Sequence, residues 1–309
     1  MLKTQNFGVE IELTGITRRV AANVIARFFG TTAGAITRTS YKVTDNQGRT
    51  WSIVRDSSIT PSLRGNTYQV EIVSPILTYN DIETIQELLR KLREKGAKTN
   101  SSCGIHIHVD GANHNATSIK NIIHFMTARQ DLVYEALGVI ANRQSFCKKL
   151  DKELFAQIRK VKELDIQKMQ ELWYSEANDG FNGGQGGRYN STRYNGINIH
   201  SYFYRGTVEF RLFNSTTHAG QLKAYIQFCL AVSAWAISEP KRVSFRGTDD
   251  YTANQKATLM NSVLTNRLGL VGAEFKTART HLTKNLTAQS ETVGTVGTVG
   301  TPETLETAA

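Results

Sequence analysis

The chain has 309 residues, 40% of them hydrophobic, with a formal net charge of +10. That apolar fraction suffices for a substantial core, as one large domain or one domain with an insertion. The longest apolar run, CLAVSAWAI at 229–237, is far short of the roughly 20 residues that cross a bilayer, so no membrane-spanning helix is expected.

The first segment, MLKTQNFGVEIEL, has no apolar run before its glutamates and is not expected to act as a secretory signal. FGVEIEL (7–13) alternates apolar and acidic positions, as a strand with one buried face does. RRVAANVIARFFG predicts a helix with Val20, Val24, Ile25 and Phe28 on one face and Gly30 at its end. YKVTD and RTWSIVRD flank NQG and predict a hairpin, because Asn and Gly tolerate the positive φ of a tight turn. TYQVEIVSP predicts a further strand, stopped by Pro75.

NDIETIQELLRKLREKG predicts an amphipathic helix capped by Asn80, with Glu83 reaching back and Gly96 closing it. GIHIHVD (104–110) predicts a strand, and 118–176 a mostly helical stretch with Ile119, Ile122, Ile123, Met126 and Leu132 at helical spacing. A glycine-rich loop, DGFNGGQGGRYNSTRYN (179–195), precedes two predicted strands, GINIHSYF and GTVEFRLF, joined at Arg205-Gly206. Helices are expected at 221–237 and 252–268. After about residue 283 the chain, including TVGTVGTVG, lacks core-forming periodicity and is expected to be disordered. The expected organisation is thus one folded domain at 1–282, with a helical insert at about 148–178, and a tail at 283–309. Without regular βα alternation, an α+β fold with a mainly antiparallel sheet is expected.

Three scattered cysteines, Cys103, Cys147 and Cys229, make no disulfide framework and predict a reducing, cytoplasmic setting. The positive charge admits nucleic acid, an anionic surface or anionic small substrates such as nucleotides. Its denser clusters, 90–98 and 148–162, are mixed with Glu and Asp on predicted helices and read as solvated faces. Nucleic-acid binding is therefore possible but not favoured.

Sorted by period two, the predicted strands turn distinctive residues to one face. These are Glu10 and Glu12; Gln69 and Glu71; His106, His108 and Asp110; Asn198 and His200; Glu209 and Arg211. A strand that simply turns one face to water explains any one of these pairs. The whole set is rich in Glu and His, where solvent faces favour Thr, Lys and Ser. Carboxylates and imidazoles so placed suit hard cations such as Mg²⁺ or Mn²⁺. His-x-His alone could be a zinc pair, but carboxylates are in excess and no matching Cys set accompanies it. Glu209 and Arg211 read either as a structural ion pair or as a metal ligand beside a phosphate clamp. No GxxxxGK[ST] loop is present, so phosphate would be held by metals and arginine.

FGVEIEL, RDSSI, EIVSPIL, GIHIHVD and YNGINIHSYFYRGTVEFRLFNST, in that order, resemble the putative amidoligase family. That family is related to glutamine synthetase and glutamate–cysteine ligase. The motifs span about 7–237 and leave 148–178 and the tail outside. The resemblance implies a glutamine-synthetase-like sheet with helices on one face and an active site on the other. It implies ATP and Mg²⁺ or Mn²⁺, and joining of a small-molecule or peptide carboxylate to an amine through an acyl phosphate. By the same resemblance, Glu10, Glu12, Glu71 and Glu209 are metal ligands. One of His106 and His108 ligates metal and the other contacts phosphate, which of them being left open. Arg211 is the phosphate clamp, Asp56 holds or deprotonates the amine, and Asn198 positions nucleotide or substrate. For Asp56, turn capping with Ser57 and Ser58 is the competing reading. A phosphotransferase of the same fold, a basic module for nucleic acid or an acidic partner, and a metal-dependent hydrolase are the alternatives. Glu10→Gln and Glu209→Gln are expected to abolish turnover with the fold nearly intact.

Overall fold

The alternation beginning at Phe7 becomes a central strand of one sheet. The computed structural model describes residues 1–175, 187, 189–238 and 247–293. Strand β1 (Phe7–Leu13) is followed by helix α1 (Arg18–Phe29), β2 (Ala33–Thr37), β3 (Ser40–Thr44), β4 (Thr50–Val54) and β5 (Val70–Val73). Next come α2 (Ile82–Glu94), β6 (Gly104–Asp110), α3 (Ala116–Leu137), α4 (Lys152–Lys160) and α5 (Ile166–Tyr174). Then follow β7 (Ile197–Asn198), α6 (His200–Arg205), β8 (Thr207–Asn214), α7 (Ala219–Ile237), α8 (Ala253–Ser262) and α9 (Lys276–Val293).

The eight strands lie in the order β2-β3-β4-β5-β1-β6-β8-β7. Every neighbouring pair runs antiparallel, as expected for an α+β fold. Val9, Ile11 and Leu13 on β1, Ile105, Ile107 and Val109 on β6, and Val208 and Phe210 on β8 are all buried in one core. Helices α1, α2, α3 and α7 contribute to it Ile25, Leu89, Ile122 and Phe228. Burial of this face on helices leaves the opposite face of the central strands free for chemistry. Among the described residues no helix is long and apolar enough to cross a membrane.

Several expectations move when packing is seen. In α1, Val20 is exposed while Ala21, Ala22, Val24, Ile25 and Phe29 are buried, so the inward face is rotated from the one its larger residues suggested. Small alanines let the helix approach the sheet closely. The cap of α2 is not Asn80 with Glu83: Thr78 N donates to Asp81 Oδ2 at 2.7 Å, one short turn earlier. The stretch 118–176 is mostly helical as expected, divided among its described residues into three α-helices, the first ended by Gly138 at φ 60°. GINIHSYF is not a full strand, because Asn198 Oδ1 accepts from Ser201 N at 3.2 Å and turns the chain into α6. Strand β2, AGAIT, lies at the sheet edge with a register shift between Ala35 and Thr37; its single large residue, the exposed Ile36, gave no alternation to read.

Order continues beyond residue 283, where the tail was expected to begin. Ala278, Leu282 and Leu286 recur every four residues on α9 and are fully buried. Three sparse apolar positions among polar ones suffice because α3, α7 and α8 supply the opposing surface. Residues 294–309, with most of the TVG repeat, and 176–186 and 188 of the glycine-rich stretch lie outside the described residues.

The β3–β4 hairpin is latched to the start of α2 by charge. Asp45 accepts from Gln47 N and Arg49 N at 2.9 Å and from the Trp51 indole at 3.2 Å. Arg49 donates Nε to Asp45 and both terminal nitrogens to Asp81, each at 2.9 Å. Arg49→Ala would strand two buried carboxylates, and a loss of about 3 kcal/mol is expected in urea unfolding. A loss below about 1 kcal/mol would mean that water already screens the latch.

Candidate active site

Register places the polar residues before any side chain is considered. Glu12 lies opposite Glu71, Glu10 opposite His106, and His108 opposite Glu209, which in turn faces Asn198. Directly opposed residues hold their Cβ atoms about 5 Å apart. A one-residue slip of β1 would send Glu10 and Glu12 into the core, so the hydrophobic pattern that fixes the register also fixes the site. Glu10, Glu12, Asp56, Glu71, His106, His108, Asn198, Glu209 and Arg211 all line one cavity of about 570 Å³. Every site residue expected from the sequence is thus brought together.

His106 is central. Its Nδ1 is 3.0 Å from Glu10 Oε2 and 3.8 Å from Glu209 Oε1, while its Nε2 is 3.7 Å from Glu12 Oε1. His108 Nε2 lies 3.4 Å from Glu10 Oε1 and 3.7 Å from Glu209 Oε1, and its Nδ1 meets Thr207 Oγ1 at 3.1 Å. Glu209 is held at both oxygens, by Arg211 Nη1 at 2.5 Å and by Asn198 Nδ2 at 2.6 Å. Asn198 therefore spends its amide on Glu209 and Ser201 N, which makes it an orienter of Glu209 in this geometry. Asp56 Oδ1 accepts from Ser58 N at 2.7 Å, so it caps its turn while also facing the cavity.

The charges are far from independent. Burial pushes Glu10 up, but hydrogen bonds and charge from His106 and His108 prevail and hold it well below the usual carboxylate range. Burial also opposes ionisation of Glu209, yet Arg211, His108 and His106 bring it down to about 2. Burial raises Glu12. Glu71 is pushed up to about 9 by burial and by the charges of Glu10, Asp56 and Glu12. Burial lowers His108, but Glu209 and Glu10 outweigh it and raise its pKa. Opposed carboxylates in a buried row are destabilising unless a cation joins them.

The donor set fits a hard divalent cation. Glu10, His106 and Glu209 form one group and Glu12, Glu71 and His106 another, each with ligand atoms within 4.8 Å of one another. Carboxylate oxygens with one imidazole suit Mg²⁺ or Mn²⁺ better than a thiolate-seeking ion. His108 Nε2 is buried with no hydrogen bond of good geometry, aimed at the same carboxylates.

Sequence reasoning missed Arg143. It follows α3 in a short 3-10 turn, lines the cavity, and is buried. It donates to the carbonyls of Phe213 and, at 3.3 Å, of Arg211, bracing β8 where a register shift breaks its pairing with β6. A Cβ at Gly104 would overlap its guanidinium, so that glycine is required for close approach. Nothing in the local sequence ANRQS marks the residue; only its burial does. Arg55, Arg193 and Arg205 also line the cavity, bringing its arginines to five. His200, expected on a strand, lies at the start of α6 but still faces the cavity, its Nδ1 2.5 Å from the Tyr174 hydroxyl.

The model of a protein family described as "Putative amidoligase enzyme" matches residues 3–233, well over half of the chain. No curated protein matches it.

Proposed function

Because the chain belongs to the putative amidoligase family, we propose that it is an ATP- and Mg²⁺- or Mn²⁺-dependent carboxylate–amine ligase of glutamine-synthetase-like design. The observation that carries this reading is the meeting of five carboxylates, three histidines and five arginines in one cavity. A pure metal hydrolase has little use for so many arginines, whereas a nucleotide triphosphate needs both cations and guanidinium.

In this reading Glu10, His106 and Glu209, with Glu12 and Glu71 beside them, would hold the ions. Bound there, metal would neutralise phosphate charge and align the attacking and leaving oxygens. Arg211, aimed by its pair with Glu209, clamps the transferring phosphoryl group, and Arg143 holds the β8 backbone that carries both. The γ-phosphoryl group passes to a substrate carboxylate, and an amine then displaces phosphate to give an amide. Asp56, at the cavity edge, holds or deprotonates that amine. His106 touches both carboxylate groups, which favours it as the metal ligand and His108 as the phosphate contact.

The test is release of ADP and phosphate from ATP with Mg²⁺ or Mn²⁺ over panels of amino-acid and peptide carboxylates, with hydroxylamine as a trap. Turnover is expected only when a carboxylate is supplied, with a hydroxamate as the trapped product. A phosphorylated product that persists beside hydroxylamine would favour a phosphotransferase instead. Arg211→Lys is expected to cut turnover by at least about 100-fold, since an ammonium cannot replace the planar fork.

A further inference from the structure

Gly8 has no reason in the fold to be glycine. It sits within β1, its φ is not in the left-handed region, and an added Cβ would rest 3.9 Å from Ser74 Oγ and 4.0 Å from His108 Cβ. Those are ordinary contacts, unlike the overlap at Gly104. Glycine inside a strand weakens it, and where no bulge or backbone strain calls for it, what it leaves is space. That space is the floor of a second cavity of about 420 Å³ on the site face of the sheet. The two cavities share Glu10, His108, Val73 and Arg205.

The two differ in chemistry. The first sets five arginines against five carboxylates in a polar lining. The second has walls of Val73, Pro75 and Ile76, the last 72% exposed at the mouth, and acidic groups Glu10 and Asp110 beside Arg205 and His108. Asp110 accepts from Ala112 N at 3.0 Å and Asn6 Nδ2 at 3.5 Å, and makes no ion pair among the described residues. A volume of this size accommodates a small elongated ligand.

We propose that this second cavity is the slot for the amine substrate, and that the substrate is a primary amine with an apolar body. The assignment rests on the ligase reading for the reaction but on Gly8, Ile76 and Asp110 for the slot. The apolar body lies over Gly8 between Val73 and Ile76, and the nitrogen reaches the shared boundary at Glu10 and His108. There the nitrogen bonds to the acyl carbon and the carbon–oxygen bond to phosphate breaks, its electrons leaving on phosphate. Of the two protons that the ammonium sheds, one ends on phosphate and the other passes to water through Asp56, which lines the adjoining first cavity.

The probes are n-hexylammonium and hexanoate, titrated calorimetrically into the full chain with and without Mn²⁺ and ADP. Wild type is expected to bind hexylammonium saturably and at least about tenfold more tightly than hexanoate. Gly8→Val, a β-branched residue that suits a strand, and Ile76→Lys at the exposed mouth should each weaken hexylammonium by about tenfold or more. Both should keep wild-type ADP–Mn²⁺ affinity. Gly8→Ala serves as the folding control and should melt no lower than wild type. Undiminished hexylammonium binding in both variants, or a preference for hexanoate, would overturn the slot. If ADP–Mn²⁺ binds but hexylammonium does not, the slot fails while the ligase reading stands. If hexylammonium binds as stated but ADP–Mn²⁺ does not, the slot stands and the ligase reading fails.

Discussion

Glu209→Gln is expected to lose turnover by at least about 1000-fold and, unlike Glu10→Gln, to unfold more easily as well. Glu209 is only 4% exposed and is the ion-pair partner of Arg211, itself 6% exposed. A neutral amide there leaves a buried guanidinium without its counter-charge, which costs about 3 kcal/mol. The sign agrees with the acid's own titration. A carboxyl lowered to about 2 by Arg211 and the histidines, against the cost of burial, supplies stability above its unfolded pKa. That stability is lost as pH falls through the acid range toward 2. Glu10 has no arginine at close range, Arg205 Nη1 being 4.0 Å away; glutamine there keeps an acceptor for His106, 3.0 Å away, and relieves the repulsion that Glu10 exerts on Glu71. Glu10→Gln should therefore abolish turnover at a cost near or below about 1 kcal/mol. The sequence-based expectation that both changes spare the fold holds only for an exposed acidic cluster, and Glu209 is buried. Urea unfolding and ADP release measured on both variants check this. Near-normal turnover in either would remove the metal platform.

Glu71→Gln should stabilise the metal-free protein, and increasingly so as pH rises. The folded-state carboxyl titrates at about 9, raised by burial and by Glu10, Asp56 and Glu12. An acid raised in the folded state binds its proton more tightly there than when unfolded, so stability declines as pH climbs from the unfolded value toward the folded one. Each pH unit in that window is worth about 1.4 kcal/mol at most. From the ordinary value of 4.5 to pH 7 that sums to about 3.4 kcal/mol, which partial solvent access reduces to roughly 2–3 kcal/mol between wild type and variant. With Mn²⁺ the order should reverse, because the ion gains a ligand that glutamine supplies poorly. Thermal melts from pH 5 to 9, with and without Mn²⁺, give both signs. Parallel pH slopes for the two proteins would mean that the row of carboxylates does not interact as its register suggests.

The central strands were legible because their signal is local. FGVEIEL and GIHIHVD alternate cleanly, and period two assigns Glu10, Glu12, His106 and His108 to one face whatever their neighbours are. Glu209 and Arg211 were sorted the same way and lie where expected. Less legible were segments whose signal is weak or overridden. The edge strand AGAIT has a single large side chain, the exposed Ile36, and so nothing to alternate with it. GINIHSYF keeps its alternation but loses it to the Asn198 cap at Ser201 N, a single local hydrogen bond. Helix α9 holds with apolar residues one turn apart because other helices cover it.

What the amino-acid order determined by itself was the identity of the central strands, the sign of their faces and the residues that could hold a metal. Side-chain period is a property of the backbone and needs no partner. What only the tertiary structure decided was which groups meet, and how strongly they feel one another. Strand order places Glu71 beside Glu12 across 59 residues of chain and brings Arg143 behind β8. Arg211 and the histidines, against the cost of burial, then set Glu209 near 2, while burial and neighbouring carboxylates set Glu71 near 9, although both are the same side chain. Electrostatic energy depends on distance and on exclusion of water, and neither is written in a sequence until the chain has closed on itself.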